Sequence, residues 1–216
     1  GLFLVIWVAY TLYADHGPAR DRSISMAMNR RRNQWMLQAT RRDLRIIDTQ
    51  ILGNLLTGVG FFASTTIFVL GGLIAMLGVA EEGTRALARL PFTATEDTAA
   101  WEVKVLLLVV IFVYAFFKFA WAFRLANYCS ILVGGFVGAA EAEDSADAAK
   151  KAARTAATLS IRSGHHFNRG LRAYFFALAA LGWLVGPIFL IAMTLLVVLV
   201  LYRREFRSRA LAALAE

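Results

Sequence analysis

The chain has 216 residues, of which 59% are hydrophobic, and it carries a net charge of +8. Soluble globular domains are about 45–50% apolar, so this composition excludes an ordinary soluble domain and indicates a chain that spans a membrane. The basic residues are concentrated in particular loops, and we therefore expect no nucleic-acid partner. The only cysteine is Cys129, which excludes an intrachain disulfide.

Four apolar segments, at 1–14, 53–80, 103–124 and 171–202, predict four membrane spans within a single membrane domain, 1–216. The last three are long enough to cross about 30 Å of hydrocarbon at 1.5 Å per residue. The first is short, and we expect it to be a span that lacks part of its N-terminus. The predicted fold class is all-α: a polytopic four-transmembrane-helix bundle with amphipathic cytoplasmic helices.

The charges of the loops predict an orientation. Eight arginines lie between Asp15 and Gln50, and five basic residues lie between Leu125 and Gly170, whereas the segment 81–102 is predominantly acidic. By the positive-inside rule, both basic loops lie in the cytoplasm and the N-terminus lies outside. The expected location is the inner membrane of a bacterium. Four spans then place the C-terminus outside with its arginines, which this orientation does not explain.

The basic segment before the second span has a helical pattern. Ser23 or Ser25 can cap this helix, and it is predicted to run directly into the second span because no proline intervenes. Its arginines suit anionic lipid headgroups at the membrane surface, and packing on neighbouring cytoplasmic helices is the alternative. The arginines expected near headgroups are Arg30, Arg31, Arg32, Arg41, Arg42 and Arg45.

The second span carries a stripe of small residues at helical spacing. Such a stripe lets helix backbones approach closely in lipid. Packing within the chain is the favoured interpretation, and a subunit interface or a pore lining are the alternatives. The stripe consists of Gly53, Thr57, Gly60, Ser64, Gly71, Ala75 and Gly78.

The third span contains a lysine, Lys118, about 9 Å from the span end at Arg124. Its ammonium either reaches the interface along its own side chain or faces a polar cavity, where it would favour anions. Beyond this span, 131–140 is apolar and predicts a bent, interfacial or re-entrant piece rather than another crossing. In the fourth span, Gly186-Pro187 predicts a kink.

Several kinds of chemistry are missing from the sequence. No carboxylate falls in the middle of a predicted span, which disfavours proton-coupled transport. His16, His165 and His166 all lie at the membrane edge, so we expect no haem and no metal site. Phosphate-binding glycine loops, nucleophile elbows and zinc-protease motifs are also missing. We therefore expect no enzyme activity and no cofactor.

Three motifs carry a resemblance to a known family. They are ILGNLLTGVGFFASTTIFVLGGL at 51–73, FVYAFFKFAWAFRLANYCSILVGG at 112–135 and RGLRAYFFALAALGWLVGPIFL at 169–190. The arginine-containing region 35–50 is similar as well. Over nearly its whole length the chain resembles the membrane family catalogued as domain of unknown function 599. The resemblance implies a four-span helical bundle found in bacteria and plants, and it implies no activity.

Polar residues at or near the span ends within these motifs suggest a shared polar vestibule on the cytoplasmic side. The candidates are Asn54, Lys118, Arg124, Asn127, Tyr128, Asn168, Arg169 and Arg172. Two functional hypotheses follow. The first is a small homo-oligomeric channel or transporter that is biased to anions by Lys118 and Arg124. The second is a structural or accessory subunit docked on a larger membrane complex.

Overall fold

The computed structural model describes residues 1–87 and 97–215. In chain order its elements are α1 (Leu2–His16), a 3₁₀ turn (Arg20–Arg22), α2 (Ile24–Ala39), α3 (Ile46–Gly78), α4 (Ala80–Leu87), α5 (Thr98–Gly134), α6 (Ala139–Asp144), α7 (Ala146–Val185), α8 (Pro187–Phe206) and α9 (Arg209–Ala215). The described part of the chain is thus all-helical, as predicted. Part of the acidic segment that we expect outside the membrane, 88–96, lies outside the described residues.

Three helical segments of the described part are long and apolar enough to cross a membrane. They are Ile46–Gly78, Thr98–Gly134 and Pro187–Leu214, while the apolar helix Leu2–His16 is shorter. These segments support a membrane protein. The predicted four-span bundle is not confirmed, because the segment assigned to the fourth span has a different structure.

The predicted span 171–202 is divided between two antiparallel helices. α7 ends at Val185 and α8 begins at Pro187. A Cβ built on Gly182 of α7 would lie only 3.0 Å from the carbonyl oxygen of Phe189 in α8. The predicted kink is therefore a reversal of the chain. Proline lacks the N–H that would continue α7, and it favours an extended conformation at the residue before it.

This reversal returns the C-terminal segment to the end of the molecule where α2 begins. The backbone N–H of Ser25 donates to Oε1 of Glu205 at 3.2 Å, and the rings of Tyr13 and Phe206 pack with their centroids 5.7 Å apart. The basic tail thus lies beside the first basic loop rather than at the opposite end of the bundle. The prediction that the tail lies across the membrane from that loop is wrong, and its conflict with the positive-inside rule disappears.

Aromatic side chains fill the membrane part of the bundle. Phe119 and Phe176 have no exposed surface. Phe62 of α3 stacks on Phe119 at 5.5 Å, and Phe176 packs against Phe3 and Trp7 of α1 at 6.0 and 5.8 Å between ring centroids. Aromatic pairs of this kind each contribute about 0.5–1.5 kcal/mol beyond the burial of their area. The centre of the described bundle is therefore packed side chains rather than a water-filled channel.

α5 and α7 are longer than a membrane is thick. With 37 and 40 residues they reach about 55 and 60 Å, against about 40–45 Å for a bilayer with its headgroups. Their excess lengths pack with α2 around a second core, which we call the head. The buried members of the head are Met36, Ala39, Leu52, Cys129, Val133, Phe136, Ala153, Ala156 and Ala157.

The segment 131–140 was predicted to be a bent, interfacial or re-entrant piece. Instead, α5 continues to Gly134, the chain leaves the helix at Gly135, and α6 begins at Ala139. Cys129 and Val133 are completely buried against the alanines of α7, and the Cys129 thiol donates to the carbonyl oxygen of Ala156 at 3.3 Å. Cys129 and Val133 therefore face another helix instead of lipid, whereas Ile131 is exposed.

α2 and α3 are separate helices, which differs from the predicted continuous helix. α2 begins where predicted, because the Ser23 hydroxyl oxygen accepts a hydrogen bond from the backbone N–H of Met26 at 3.1 Å. It ends at Ala39, and α3 begins only at Ile46. The helical pattern of the sequence thus continues through a segment that is a loop in the structure.

Buried polar contacts hold this loop in place. Asp48 has no exposed surface, and its Oδ1 accepts hydrogen bonds from Trp35 Nε1 and Arg42 Nη1, both at 2.6 Å. Arg45 donates from Nε to the carbonyl oxygen of Ala39 at 3.0 Å, which satisfies a carbonyl at the end of α2. These side chains fix the angle between α2 and α3.

Candidate functional site

Two arginines of α7 converge on one carboxylate at the end of α1. Asp15 is 7% exposed. Its Oδ2 accepts from Arg169 Nε at 2.7 Å, and its Oδ1 accepts from Arg172 Nη2 at 2.6 Å. The two arginines are three residues apart and therefore share one face of the helix. Two positive charges thus meet one negative charge at this point.

The ion pairs belong to a larger cluster, the polar junction, which consists of Asp15, Ser25, Asn168, Arg169, Arg172 and Glu205. Asn168 donates from Nδ2 to the Ser25 hydroxyl at 3.1 Å, and the Ser25 N–H donates to Glu205. The junction thereby ties together the ends of α1 and α8, the start of α2 and the middle of α7. The gap that it encloses is about 10 Å³, which is room for about one water. The polar junction is closed.

Only three of the eight predicted vestibule residues, Asn168, Arg169 and Arg172, belong to this junction. Lys118 is half-buried, and its Nζ lies 5.0 Å from the centroid of the Tyr114 ring. Arg124 donates from Nε to the Tyr128 hydroxyl at 2.7 Å, and both residues lie with Asn127 on an exposed face of α5. The structure therefore brings some of the predicted polar residues together and leaves others on separate surfaces.

Asp15 and Glu205, the acidic members of the polar junction, were not among the residues predicted from the sequence. Asp15 pairs with an arginine 154 positions away, and Glu205 bonds to a residue 180 positions away. One signal was available: two arginines on one helix face at a membrane edge require a counter-charge when they are buried. Nothing in the local sequence identifies which carboxylate supplies it.

A cavity of about 150 Å³ lies between α2, α3, α5 and α7. We call it the arginine cavity. Arg32 of α2 lines it, together with the polar side chains Asn54 and Ser160 and the apolar side chains Val59 and Phe167. Asn54, predicted as part of the vestibule, therefore belongs to this second site. The cavity has a charged end at Arg32 and an apolar end at Val59 and Phe167.

Arg32 has few partners in the part of the chain that the structure describes. Its Nη1 donates to Asn29 Oδ1 at 3.1 Å, and no ion pair to a described carboxylate forms. The guanidinium lies against Gly164, where a Cβ would be 2.5 Å from Nη1. Burial lowers the pKa of Arg32, although a guanidinium remains charged in proteins. The cavity therefore contains a positive charge whose hydrogen-bonding capacity is largely unused within the described residues.

The six arginines expected near lipid headgroups fall into two groups. The exposed group consists of Arg30, Arg31 and Arg41. The other group makes contacts within the protein: Arg42 with Asp48, Arg45 with the carbonyl oxygens of Ala39, Phe136 and Val137, and Arg32 with Asn29. Packing within the chain therefore applies to Arg32, Arg42 and Arg45, whereas headgroup contact of Arg30, Arg31 and Arg41 stays a prediction.

Two histidines lie on α7 between the two arginine sites. Desolvation lowers the pKa of His165, and it lowers the pKa of His166 to about 4 with help from the nearby charges of Lys118 and Arg169. Both imidazoles are therefore neutral at pH 7. The positive charges of nearby basic side chains disfavour protonation of either imidazole.

Most of the small-residue stripe of α3 points away from the rest of the chain. The residues that α3 buries against the bundle are Leu52, Val59, Thr66 and Leu73, and at 100° per residue they lie on a different side of the helix. Thr57, Ser64, Gly71, Ala75 and Gly78 are exposed, and Gly53 and Gly60 are half-buried. Gly60 lies against Phe123 of α5, where a Cβ would be 3.5 Å from the ring, and the described part of the chain provides no partner helix for the exposed residues of the stripe. A subunit interface and a pore lining stay predictions for those residues.

A family model described as "Protein of unknown function, DUF599" matches residues 1–210. The chain belongs to this family. The match confirms the resemblance of the sequence motifs over nearly the whole chain. The description of the DUF599 family assigns no activity, and no curated protein and no solved structure matches the chain. The function of this DUF599 member is therefore argued from its geometry.

Proposed function

We propose that this integral membrane protein is a non-catalytic structural subunit that assembles with copies of itself through the small-residue stripe of α3. The observation that carries this proposal is the position of the stripe. It lies on a different side of the helix from the face that α3 buries, and most of its residues are exposed.

A second copy of the chain is the occupant that suits this surface. Helix association in lipid depends on close backbone approach, because lipid provides no hydrophobic drive between helices. From Gly53 to Gly78 the stripe runs for about 37 Å, which exceeds the hydrocarbon thickness. A stripe of this kind is self-complementary, and two copies can bring it together across a two-fold axis.

We assign the N-terminus to the outside and the C-terminus to the cytoplasm of a bacterial inner membrane. In this arrangement α1, α3, α5, the part of α7 from Leu171 to Val185, and α8 cross the membrane. The positive-inside rule supports it, since both basic loops and the basic tail are then on one side. The head and the exposed Arg30, Arg31 and Arg41 face anionic headgroups or the cytoplasm.

The alternative of anion permeation is less well supported by the geometry. The middle of the bundle is filled by aromatic rings, so a conducting path would have to run between copies. Lys118 lies against the Tyr114 ring, whereas Arg124 bonds to Tyr128 on an exposed face of α5. Permeation therefore depends on an oligomer in which α3 lines the path.

Cysteine cross-linking tests the interface. Cys129 is buried, so the variant Ser64→Cys has one accessible thiol at the centre of the stripe. We expect this variant to form disulfide-linked dimers in native membranes under mild oxidation. The matched control is Leu195→Cys, which is exposed in the middle of α8 and should remain monomeric. Equal cross-linking of the two variants, or none at Ser64→Cys, contradicts the proposed interface.

The mass of the gently extracted protein and its ion flux distinguish the remaining alternatives. A homo-oligomer that produces no chloride or potassium flux in liposomes supports a structural subunit. Flux that Gly71→Leu abolishes supports a channel instead. Co-migration with unrelated chains supports an accessory role in a larger complex and contradicts self-assembly.

A further inference from the structure

The arginine cavity combines features that a small amphiphilic anion requires. Its cytoplasmic end has the Arg32 guanidinium, and its membrane end has apolar side chains of α3 and α7. We propose that this cavity binds the anionic headgroup of a membrane amphiphile, which is a phosphate- or carboxylate-bearing lipid of the cytoplasmic leaflet. Arg32 is the residue that recognises the headgroup.

The charge of the cavity supports an anion. A guanidinium has five N–H donors in a planar fork that fits phosphate or carboxylate with two parallel hydrogen bonds. Arg32 uses one bond to Asn29 within the described residues, and the polar side chains Asn54, Ser160 and Ser163 of the lining are neutral. A half-buried cation without a nearby carboxylate is costly, and an incoming anion removes that cost.

The space around Arg32 supports a headgroup rather than a complete lipid. A cavity of about 150 Å³ is comparable to one that holds a benzene-sized molecule. Towards the middle of the membrane the cavity is closed by the contact of Phe62 with Phe167, whose ring centroids are 5.5 Å apart, and by the hydrogen bond of Thr66 with Tyr174 at 2.8 Å. The headgroup and the first carbons therefore fit, and the remaining chain has to leave sideways.

Gly58 of α3 provides the side exit. It lines the cavity and is exposed, and no atom lies within 4 Å of a Cβ built on it. An acyl chain that leaves beside Gly58 enters the bilayer along α3. Free inorganic phosphate could also meet Arg32, but the apolar walls at Val59 and Phe167 offer nothing to a fully hydrated ion. The lining thus favours an anion that carries a hydrocarbon chain.

Lipid binding by the full-length protein in detergent tests the proposal. After removal of co-purified lipid, we would titrate phosphatidylglycerol, phosphatidylcholine and inorganic phosphate separately and measure bound species by native mass spectrometry. We expect phosphatidylglycerol to bind with a stoichiometry of one per chain. Arg32→Gln should weaken this binding at least about tenfold, because a charge-assisted bidentate contact is lost. The control Lys151→Gln, on an exposed face of α7, should change it by less than about twofold.

A second variant keeps the test independent of the charge. Gly58→Trp fills the exit and should also weaken phosphatidylglycerol binding, whereas Gly72→Trp, at an equally open position of α3, should not. Thermal unfolding of each variant verifies that it folds. Unchanged binding by Arg32→Gln or by Gly58→Trp overturns the proposal. So does equal binding of phosphatidylcholine, or binding of inorganic phosphate that matches that of phosphatidylglycerol.

Discussion

The polar junction and the arginine cavity lie near one another along α7, and both contain buried or half-buried arginine. In the junction, Asp15 accepts hydrogen bonds from Arg169 and Arg172, and the enclosed gap is no larger than about one water. In the cavity, Arg32 has no described carboxylate as partner, and about 150 Å³ remain open. A buried arginine that pairs with a carboxylate therefore holds helices together. A half-buried arginine without a described carboxylate partner leaves space and hydrogen-bond donors for a ligand.

Two glycines of α7, Gly170 and Gly164, also differ in whether their neighbouring side chain can move. A Cβ on Gly170 would lie 2.5 Å from the fully buried ring of Phe119. A Cβ on Gly164 would meet the guanidinium of Arg32 at the same distance. The ring is fixed by packing on all sides, while the guanidinium is the far end of a flexible side chain beside open space. The same substitution therefore has different consequences at the two positions.

The largest effect is expected from removal of the charge of Asp15. Asp15→Asn leaves Arg169 and Arg172 without their counter-charge, and breaking a buried ion pair by removing one partner costs about 3–5 kcal/mol of the free energy of unfolding. Thermal unfolding in detergent would measure the loss. The control Asp147→Asn removes a fully exposed carboxylate whose ion pair with Lys150 is 3.9 Å long and should leave the melting temperature nearly unchanged. Equal melting of the Asp15→Asn variant and the wild type would contradict a structural role for the junction.

An intermediate effect on stability is expected when Gly170 and Gly164 are each replaced by alanine. Gly170→Ala forces the Phe119 ring to move within a packed core, which costs about 1–3 kcal/mol of unfolding free energy. Gly164→Ala should cost clearly less, because the Arg32 guanidinium can shift into the cavity. Chemical unfolding of both variants provides the measurement. A larger loss for Gly164→Ala than for Gly170→Ala would mean that the arginine cavity is as rigid as the aromatic core.

The smallest effect is expected from pH. Because the pKa of His166 is lowered to about 4 in the folded protein, the unfolded chain, with its ordinary pKa near 6.5, binds a proton first. The contribution of His166 to stability is therefore fully present above about pH 6.5 and is lost as pH falls towards about 4. His166→Gln should reduce the decrease in melting temperature over this range. A pH dependence identical to that of the wild type would indicate that His166 is not desolvated beside Lys118 and Arg169.

Part of the polar junction was predicted from the sequence. Arg169, Arg172 and Asn168 were selected by their position at a span end, and the structure brings them together with Asp15 and Ser25. The small-residue stripe was visible as well, since its spacing follows the helix repeat. Whether that stripe faces its own chain or the outside was not visible, because helical periodicity says nothing about which helix lies opposite.

Other features were ambiguous in the sequence for a physical reason. Gly186-Pro187 ends one helix in either case, and the backbone rules for proline are the same for a kink and for a reversal. The choice depends on the packing of α8 on α7, for example of Arg204 over the Phe175 ring at 5.3 Å. Arg32 looked like its neighbours Arg30 and Arg31, and only the packing of α2 on α7 turns it towards Gly164.

The sequence by itself determined that the chain is all-helical, that it is built for a membrane, and that it belongs with the DUF599 motifs. These properties depend on composition and on periodicities of a few residues, which every segment carries locally. The tertiary structure alone decided that the C-terminal tail lies beside α2, that Asp15 neutralises two arginines, and that Arg32 faces a cavity. Those outcomes depend on contacts between residues more than a hundred positions apart, which no local pattern encodes.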